Sequence, residues 1–287
     1  MNGRGHILAL GTMVLVALAA PAAAGDTSWQ AATATWFSDA NWTAGQPTSG
    51  DDAYINNDGT AELSAAGGAA VAANLNLGYV SSGAAPNHGH VTISDGTLTV
   101  AGKIQLGSQS SGKGGTITQT GGTVSTLDLT IDNNASIYQI DDGVLNVGND
   151  LQLGNSYQNS RLIQNGGEIH VTRDFNFSQG IQGGTNRYTL SDGVLTVGRN
   201  LNAQKGTPYF TMLDGDVTVT GTLNAGVATN FQFDLAGGTI AAGSMNVGDR
   251  YNTAGSPLFD QHGTDITVAG SVTVRGTNVK YQLRQGT

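Results

Sequence analysis

From about residue 90 onward, hydrophobic and polar residues alternate in short runs, and each run returns after a nearly constant interval. The register appears when the Gly that closes each Asp-Gly or Gly-Gly pair is taken as an anchor. The anchors are Gly96, Gly122, Gly143, Gly167, Gly193, Gly215 and Gly238, with Thr264 and Gly286 in the last two slots. Successive anchors lie 26, 21, 24, 26, 22, 23, 26 and 22 residues apart. Two residues after the anchor stand Leu98, Val124, Leu145, Ile169, Leu195, Val217, Ile240 and Ile266, all aliphatic. Four after it stand Val100, Thr126, Val147, Val171, Val197, Val219, Ala242 and Val268. Five before it stand Val91, Ile117, Tyr138, Leu162, Tyr188, Phe210, Phe233, Phe259 and Tyr281. Alternation inside each run is the period-two signature of a strand with one buried face.

A third apolar run follows seven to ten residues past the anchor, as in Ile104/Leu106, Leu151/Leu153, Phe175/Phe177 and Val272/Val274. Each repeat therefore predicts three short strands and three turns. Such a unit cannot bury its apolar face alone, but coils stacked on one another make a continuous core. The predicted fold class is all-β: a parallel β-helix, or β-solenoid, of about 9–10 coils of roughly 24 residues. At a spacing of about 4.8 Å, nine coils make a rod of roughly 40 Å. A β-sandwich or a propeller is the competing architecture, but a propeller blade needs about 40 residues.

Glycine at the anchor has a local reason, since tight corners call for positive φ, which β-branched residues resist. One column departs from the apolar rule. Three before the anchor, Gln119, Gln164 and Gln261 interrupt Ile93, Ile140, Leu190, Met212, Leu235 and Leu283. An interior Gln must find partners, and bonding along the stack is favoured over a place near a leaky end of the core.

The two ends differ from the repeat. Residues 1–24 combine Arg4, an apolar stretch from Ile7 to Ala20 and the small-residue run Ala22-Ala23-Ala24, which reads as a secretory signal peptide. The stretch is shorter than the roughly 20 apolar residues a span needs, and Pro21 interrupts it. Cleavage is expected after Ala24, leaving no membrane span. Residues 25–61 hold all three tryptophans, Trp29, Trp36 and Trp42, and read as an N-terminal cap over the first coil. Residues 62–287 then form the solenoid, which is expected to continue beyond the C-terminus because residues 281–287 begin a fresh coil.

Composition narrows the function. The formal net charge is −9 with a pI near 4.7, and only 11% of residues are charged. That balance argues against nucleic acid and anionic membranes as partners, since both select Lys and Arg. There is no Cys, which excludes disulfides and Cys-ligated metals.

The run Thr35-Trp36 to Pro47, the segment Gly50-Asp51-Asp52-Ala53-Tyr54-Ile55 and units such as Asp192-Gly193-Val194-Leu195-Thr196-Val197-Gly198 resemble secreted bacterial proteins with autotransporter-associated β-strand repeats. Similar chains occur among large exported proteins of planctomycetes and verrucomicrobia, often with a PEP-CTERM-type sorting signal. The resemblance spans nearly the whole chain after the leader. It implies an extracellular or cell-surface role with no assigned chemistry. The sequence shows neither a translocator barrel nor a sorting helix.

Candidate chemistry is sparse. Parallel β-helices include polysaccharide lyases and hydrolases, and glycoside hydrolysis needs two carboxyls some 5–9.5 Å apart. The matching stripe lies six or seven past the anchor: Asp128, Asp150, Arg173, Asp174 and Arg199, where Arg beside Asp could bind an acidic sugar and Asp150, Arg173 and Arg199 are the catalytic candidates. The corner residues Asp95, Asp142, Asp192 and Asp214 are expected to form turns rather than bind calcium. Asp51 and Asp52 are the weak calcium candidates, and no cofactor is expected. His88 and His90 are close, but no third zinc ligand accompanies them. Trp29, Trp36 and Trp42 could alternatively offer an aromatic platform to a glycan. The leading expectation is a secreted structural or adhesive module without catalytic activity. Its expected partners are surface glycans, proteins or further copies stacked end to end. A carbohydrate-active or glycan-binding β-helix is the alternative.

Overall fold

The computed structural model describes residues 25–79, 87–107, 113–133, 135–154, 159–177, 185–203, 207–226, 231–248, 258–276 and 279–284. The predicted leader and the last anchor, Gly286, lie outside these residues.

The described residues form an all-β solenoid of 25 strands in about nine turns at a spacing of about 24 residues. Three parallel ladders run along the rod. The first sheet, just before the anchors, extends from Thr33–Thr35 to Lys280–Leu283. The second, just after the anchors, extends from Ala69–Ala72 to Asp265–Val268. The third extends from Asp26–Ser28 to Val272–Val274. Each coil visits the sheets in that order.

The ladders begin inside the segment expected as a cap. Asp26–Ser28 and Asp52–Ile55 are rungs of the third sheet, and Thr33–Thr35 and Thr60–Leu63 are rungs of the first. Residues 36–51 stand in the first coil where later coils carry the second sheet. There Trp42 packs edge-on against Trp29 at 5.0 Å and against Trp36 at 4.8 Å. The Trp42 indole N–H donates to the Trp36 carbonyl at 3.0 Å.

The aliphatic columns are the core. Leu98, Val124, Leu145, Ile169, Leu195, Val217 and Ile240 are all buried, each stabilising the fold by about 1.5–3 kcal/mol as an upper figure. The column five before the anchor becomes an aromatic stack. Tyr188 meets Phe210 at 4.9 Å, Phe210 meets Phe233 at 5.4 Å, Phe233 meets Phe259 at 5.5 Å, and Phe259 meets Tyr281 at 5.0 Å. Thr126, polar in an aliphatic column, is buried and aims its hydroxyl at the carbonyls of Gly102 and Asp128.

The corner between the first and second sheets has the expected chemistry. Gly215 has φ 95°, and a Cβ there would lie 2.6 Å from the Gly193 carbonyl one coil below. The anchors thus need both positive φ and close stacking of backbone on backbone. Asp95, Asp142, Asp192 and Asp214 each accept the N–H of the following anchor at 2.7–2.9 Å. Thr264 keeps the register without positive φ, and its buried hydroxyl donates to the Gly237 carbonyl at 2.7 Å.

The interior glutamines bond along the stack, as expected. Gln119 Nε2 donates to the carbonyls of Gly122 and Val144, both at 3.1 Å. Gln164 does the same to Gly167 and Val194. Sequence reading missed what completes them, a tyrosine on the next coil that donates to each Gln carbonyl oxygen. It also missed a second glycine series at the corner from the third sheet back to the first. Gly78, Gly107, Gly154, Gly226 and Gly248 all have positive φ, and Asn133 takes the same role at φ 85°.

Candidate functional site

The corner between the second and third sheets holds the residues marked for polysaccharide chemistry. The structure brings them together and gives them structural work. Asp150 Oδ1 accepts the backbone N–H of Asp174 at 3.1 Å. Asp174 Oδ1 accepts the N–H of Asn200 at 3.0 Å, and Asn200 Oδ1 accepts the N–H of Thr222 at 3.0 Å. Asp128 stands in the same relation to Asp150 at 3.3 Å. Each side chain therefore brackets the corner of the following coil, as Asx side chains do in turns. Arg173 Nε lies 3.7 Å from Asp150, and Arg199 lies 3.7 Å from Asp174. These are loose pairs whose guanidinium groups are exposed, and their energetic weight is small. The periodicity that makes the stripe visible in the sequence is the periodicity of the bracket.

Asp51 and Asp52 diverge. The Asp51 carboxylate accepts the Thr48 hydroxyl at 2.6 Å, the Thr48 N–H at 2.9 Å and the Gly25 N–H at 3.0 Å. The Thr48 hydroxyl, then the two N–H groups, hold it below the usual carboxylate range against a small opposing effect of burial. Asp52 instead accepts the Asn74 amide at 2.7 Å. The two carboxylates serve different neighbours and do not converge on one point. Among the described residues, no group of three or more His, Asp or Glu side chains is placed to hold a metal ion.

The tryptophans correct the platform expectation. Trp29, Trp36 and Trp42 retain 2%, 0% and 2% exposure, so no ring offers an open face to a sugar. Their spacing fits a platform and an interior cluster equally well. The crossing of residues 36–51 over the first coil decides for the interior. The indole N–H groups of Trp29 and Trp36 are buried there without partners.

His88 and His90 stack at 6.4 Å. Burial first, then the neighbouring His88, pushes His90 below the usual imidazole value, while Asp58 opposes.

Two surface concavities are lined by described residues. One, about 300 Å³, lies on the third sheet near its start, lined by Asp52, Tyr54, Asn76, Tyr79, Lys103 and Gln105 among others. Burial, then Asp26 and Asp52, raises the Tyr54 phenol above its usual value. The other, about 430 Å³, lies on the first sheet at its far end, lined by Gln232, Asp234, Leu258, Asp260, His262 and Arg284. Asp234 and Asp260 are partners on adjacent rungs. His262 Nε2 lies 2.6 Å from Asp234 Oδ1, and Arg284 lies 3.0 Å from Asp260 Oδ2. Sequence reading missed this pair of acids, although its signal is present: Asp234 and Asp260 stand in a column that the coils between hold as Thr92, Thr118, Gln139, Ile163, Thr189 and Thr211, with Glu62 before them.

Comparison of the chain with family models, with curated proteins and with solved structures finds no match.

Proposed function

We propose that this chain is a structural or adhesive rod, exported from a bacterial cell and displayed at or beyond its surface. The observation that carries the reading is the assignment of the conspicuous acids to coil-to-coil brackets. Asp150, Asp174 and Asn200 each secure the next turn, so repetition along the chain serves the length and stiffness of the rod. A second column does the same from outside the core. Asn202, Asn224 and Asn246 each donate a side-chain N–H to the amide oxygen one coil earlier, on Asn176, Asn202 and Asn224, at 3.0, 2.8 and 2.8 Å. Such ladders resist fraying of a weakly charged surface without calling on ions.

Export is supported by the basic, apolar and small-residue order of residues 1–24 and by the resemblance to autotransporter-associated repeats. The partners in this reading are surface glycans or proteins along the rod, or further copies at its ends.

The test is incubation of the purified protein with neutral and acidic polysaccharides for a day, with polymer chain length followed. Unchanged chain length together with immunogold labelling at the cell exterior supports the rod. Shortening of any polymer overturns it in favour of a carbohydrate-active enzyme, and labelling confined to the cytoplasm overturns the export.

A further inference from the structure

In a repeat protein, two stretches of one column can be compared directly. The outward column of the third sheet passes through Tyr54, Asn76 and Gln105 near its start and through Asn202, Asn224 and Asn246 farther along. In the far stretch the amides hold one another from coil to coil. Near the start they do not. The Asn76 amide and the Tyr54 phenol have no hydrogen-bond partner among the described residues. Tyr54 is also the one aromatic side chain of this column among the described residues.

These residues line the 300 Å³ concavity, and part of its wall is structural. Asp52 accepts the Asn74 amide at 2.7 Å, and Asn74 Oδ1 accepts the Lys103 N–H at 2.8 Å. That is the coil-to-coil bracket seen at Asp150 and Asp174. Gln105 Nε2 donates to the Gly107 carbonyl at 2.8 Å. Open to a ligand are the Asn76 amide, the phenols of Tyr54 and Tyr79, the Lys103 ammonium and Gln105 Oε1. Lys103 is exposed and the other four residues are half-buried, so each presents surface to solvent. The Tyr54 phenol, raised above its usual value, stays protonated and keeps its donor.

We propose that this concavity binds a neutral sugar chain, with the two tyrosines meeting a sugar ring and Asn76, Lys103 and Gln105 meeting its hydroxyls. The open groups include both donors and acceptors, and a sugar hydroxyl is both at once. A phenol offers an apolar ring with a polar tip, which suits the C–H face and the hydroxyl edge of a pyranose. The volume lies at the lower end of small-molecule sites, roughly 300–1,000 Å³, and fits a short stretch of a longer chain. An anion finds a single ammonium here, set against Asp26 and Asp52, the acids whose charge acts on Tyr54. A metal ion finds no group of three His, Asp or Glu side chains among the described residues. A peptide strand finds no free backbone, since the rungs Asp52–Ile55 and Asn74–Leu77 are paired on both sides. The inference deepens the adhesive reading by naming where a surface glycan sits, and rests on that reading for the source of the glycan.

The test is titration calorimetry of the purified protein with neutral hexasaccharides (β-1,4-glucan, β-1,3-glucan and β-1,4-mannan), with hexagalacturonate as the competing chemistry. The expected result is binding of a neutral hexasaccharide with a dissociation constant of about 1 mM or tighter, as a few contacts provide. Tyr54→Ala and Asn76→Ala weaken it at least tenfold, whereas Thr273→Ala, in the same column at the far end of the rod, leaves it unchanged. Asn76→Ala removes no hydrogen bond of the rod, so this variant keeps the fold, which thermal unfolding verifies. The proposal is overturned if no neutral hexasaccharide binds, if Asn76→Ala binds like wild type, or if hexagalacturonate alone binds. None of these results touches the export of the rod or its inertness toward polymers, which immunogold labelling and polymer chain length report separately.

Discussion

Tyr138 Oη donates to Gln119 Oε1 at 2.8 Å across two adjacent coils, inside a core made mainly of aliphatic and aromatic side chains. The same bond joins Tyr188 to Gln164 at 2.7 Å and Tyr281 to Gln261 at 3.0 Å. In each case the Gln lies three before one anchor and the Tyr five before the next. Burial holds the Tyr138 and Tyr188 phenols far above their usual value, so they remain donors at any working pH. The pair lets a polar group sit in the core with its carbonyl oxygen and both amide protons satisfied.

Removing the tyrosine hydroxyl leaves a buried acceptor alone. Tyr138→Phe is expected to lower unfolding stability by about 1–3 kcal/mol, read as a shift of the denaturant midpoint with the slope unchanged. Phe210→Tyr, which adds a hydroxyl facing Leu190 rather than a Gln, is expected to destabilise as well. A neutral result for Tyr138→Phe would remove the bond's energetic role.

The anchors make a sharper claim about backbone. Gly215→Ala places a Cβ 2.6 Å from the Gly193 carbonyl at φ 95°, so a loss on the order of 1–3 kcal/mol is expected. Gly50→Ala, where a Cβ meets nothing nearer than 3.9 Å and φ is not positive, is expected to change stability little. Thermal unfolding of the two variants checks the contrast, and equal losses would count against the corner account.

These predictions mark how much the sequence carried. The anchors, the buried columns and the three-sheet coil were legible because each rung repeats the same inward positions. The Tyr–Gln pairs were legible in principle as a fixed offset between neighbouring repeats, but columns read one at a time conceal a diagonal. The second glycine corner was harder, since the turns before the next rung vary in length and Asn133 replaces Gly in one coil. The brackets could not be told from a charged stripe, because Asp150 and Asp174 look alike whether they hold a backbone N–H or a ligand. Burial of the tryptophans depended on how residues 36–51 cross the coil, which no column predicts. The pairs Asp234–His262 and Asp260–Arg284 were hidden by attention to what repeats, because these residues depart from their neighbours on the preceding coils.

The bracket separates hydrogen bonding from charge. Asp150→Ala removes the acceptor for the Asp174 N–H and is expected to cost about 1 kcal/mol. Asp150→Asn keeps an acceptor oxygen and is expected to recover most of that. Arg173→Ala is expected to cost less than 1 kcal/mol, since its 3.7 Å pair with Asp150 is exposed. Stability measurements on the three variants test the order, and an Asn variant as weak as the Ala variant would favour the ion pair instead.

Acid is expected to weaken the start of the rod through His90. Burial lowers its folded-state value below the ordinary 6.5, so the unfolded chain binds its proton first. Stability from this residue is therefore full above about pH 6.5 and falls as the pH drops below it. His90→Gln is expected to flatten unfolding stability between pH 7 and the folded-state value, and an unchanged profile would exclude His90 as the cause.

Asp51 accepts the N–H of Gly25, the residue that follows the predicted leader. Processing after Ala24 is predicted from the small residues at 22–24, and Gly25 N already lies 3.0 Å from Asp51 Oδ1. Cleavage there turns a neutral amide into an ammonium, and the contact becomes a charge-assisted bond. The first rung, Asp26–Ser28 against Asp52–Ile55, starts one residue later, so the bond would pin the end of the third sheet where it is most prone to fray. Asp51 has a depressed folded-state value, so what it contributes is present above the ordinary carboxylate range and is lost as the pH falls through its own lower value. The exported protein is expected to begin at Gly25 by N-terminal sequencing, and Asp51→Asn is expected to speed amide exchange at Thr27 and Ser28 while leaving the distant coils unchanged. Exchange unaffected by the substitution would mean that the Trp cluster alone holds this end.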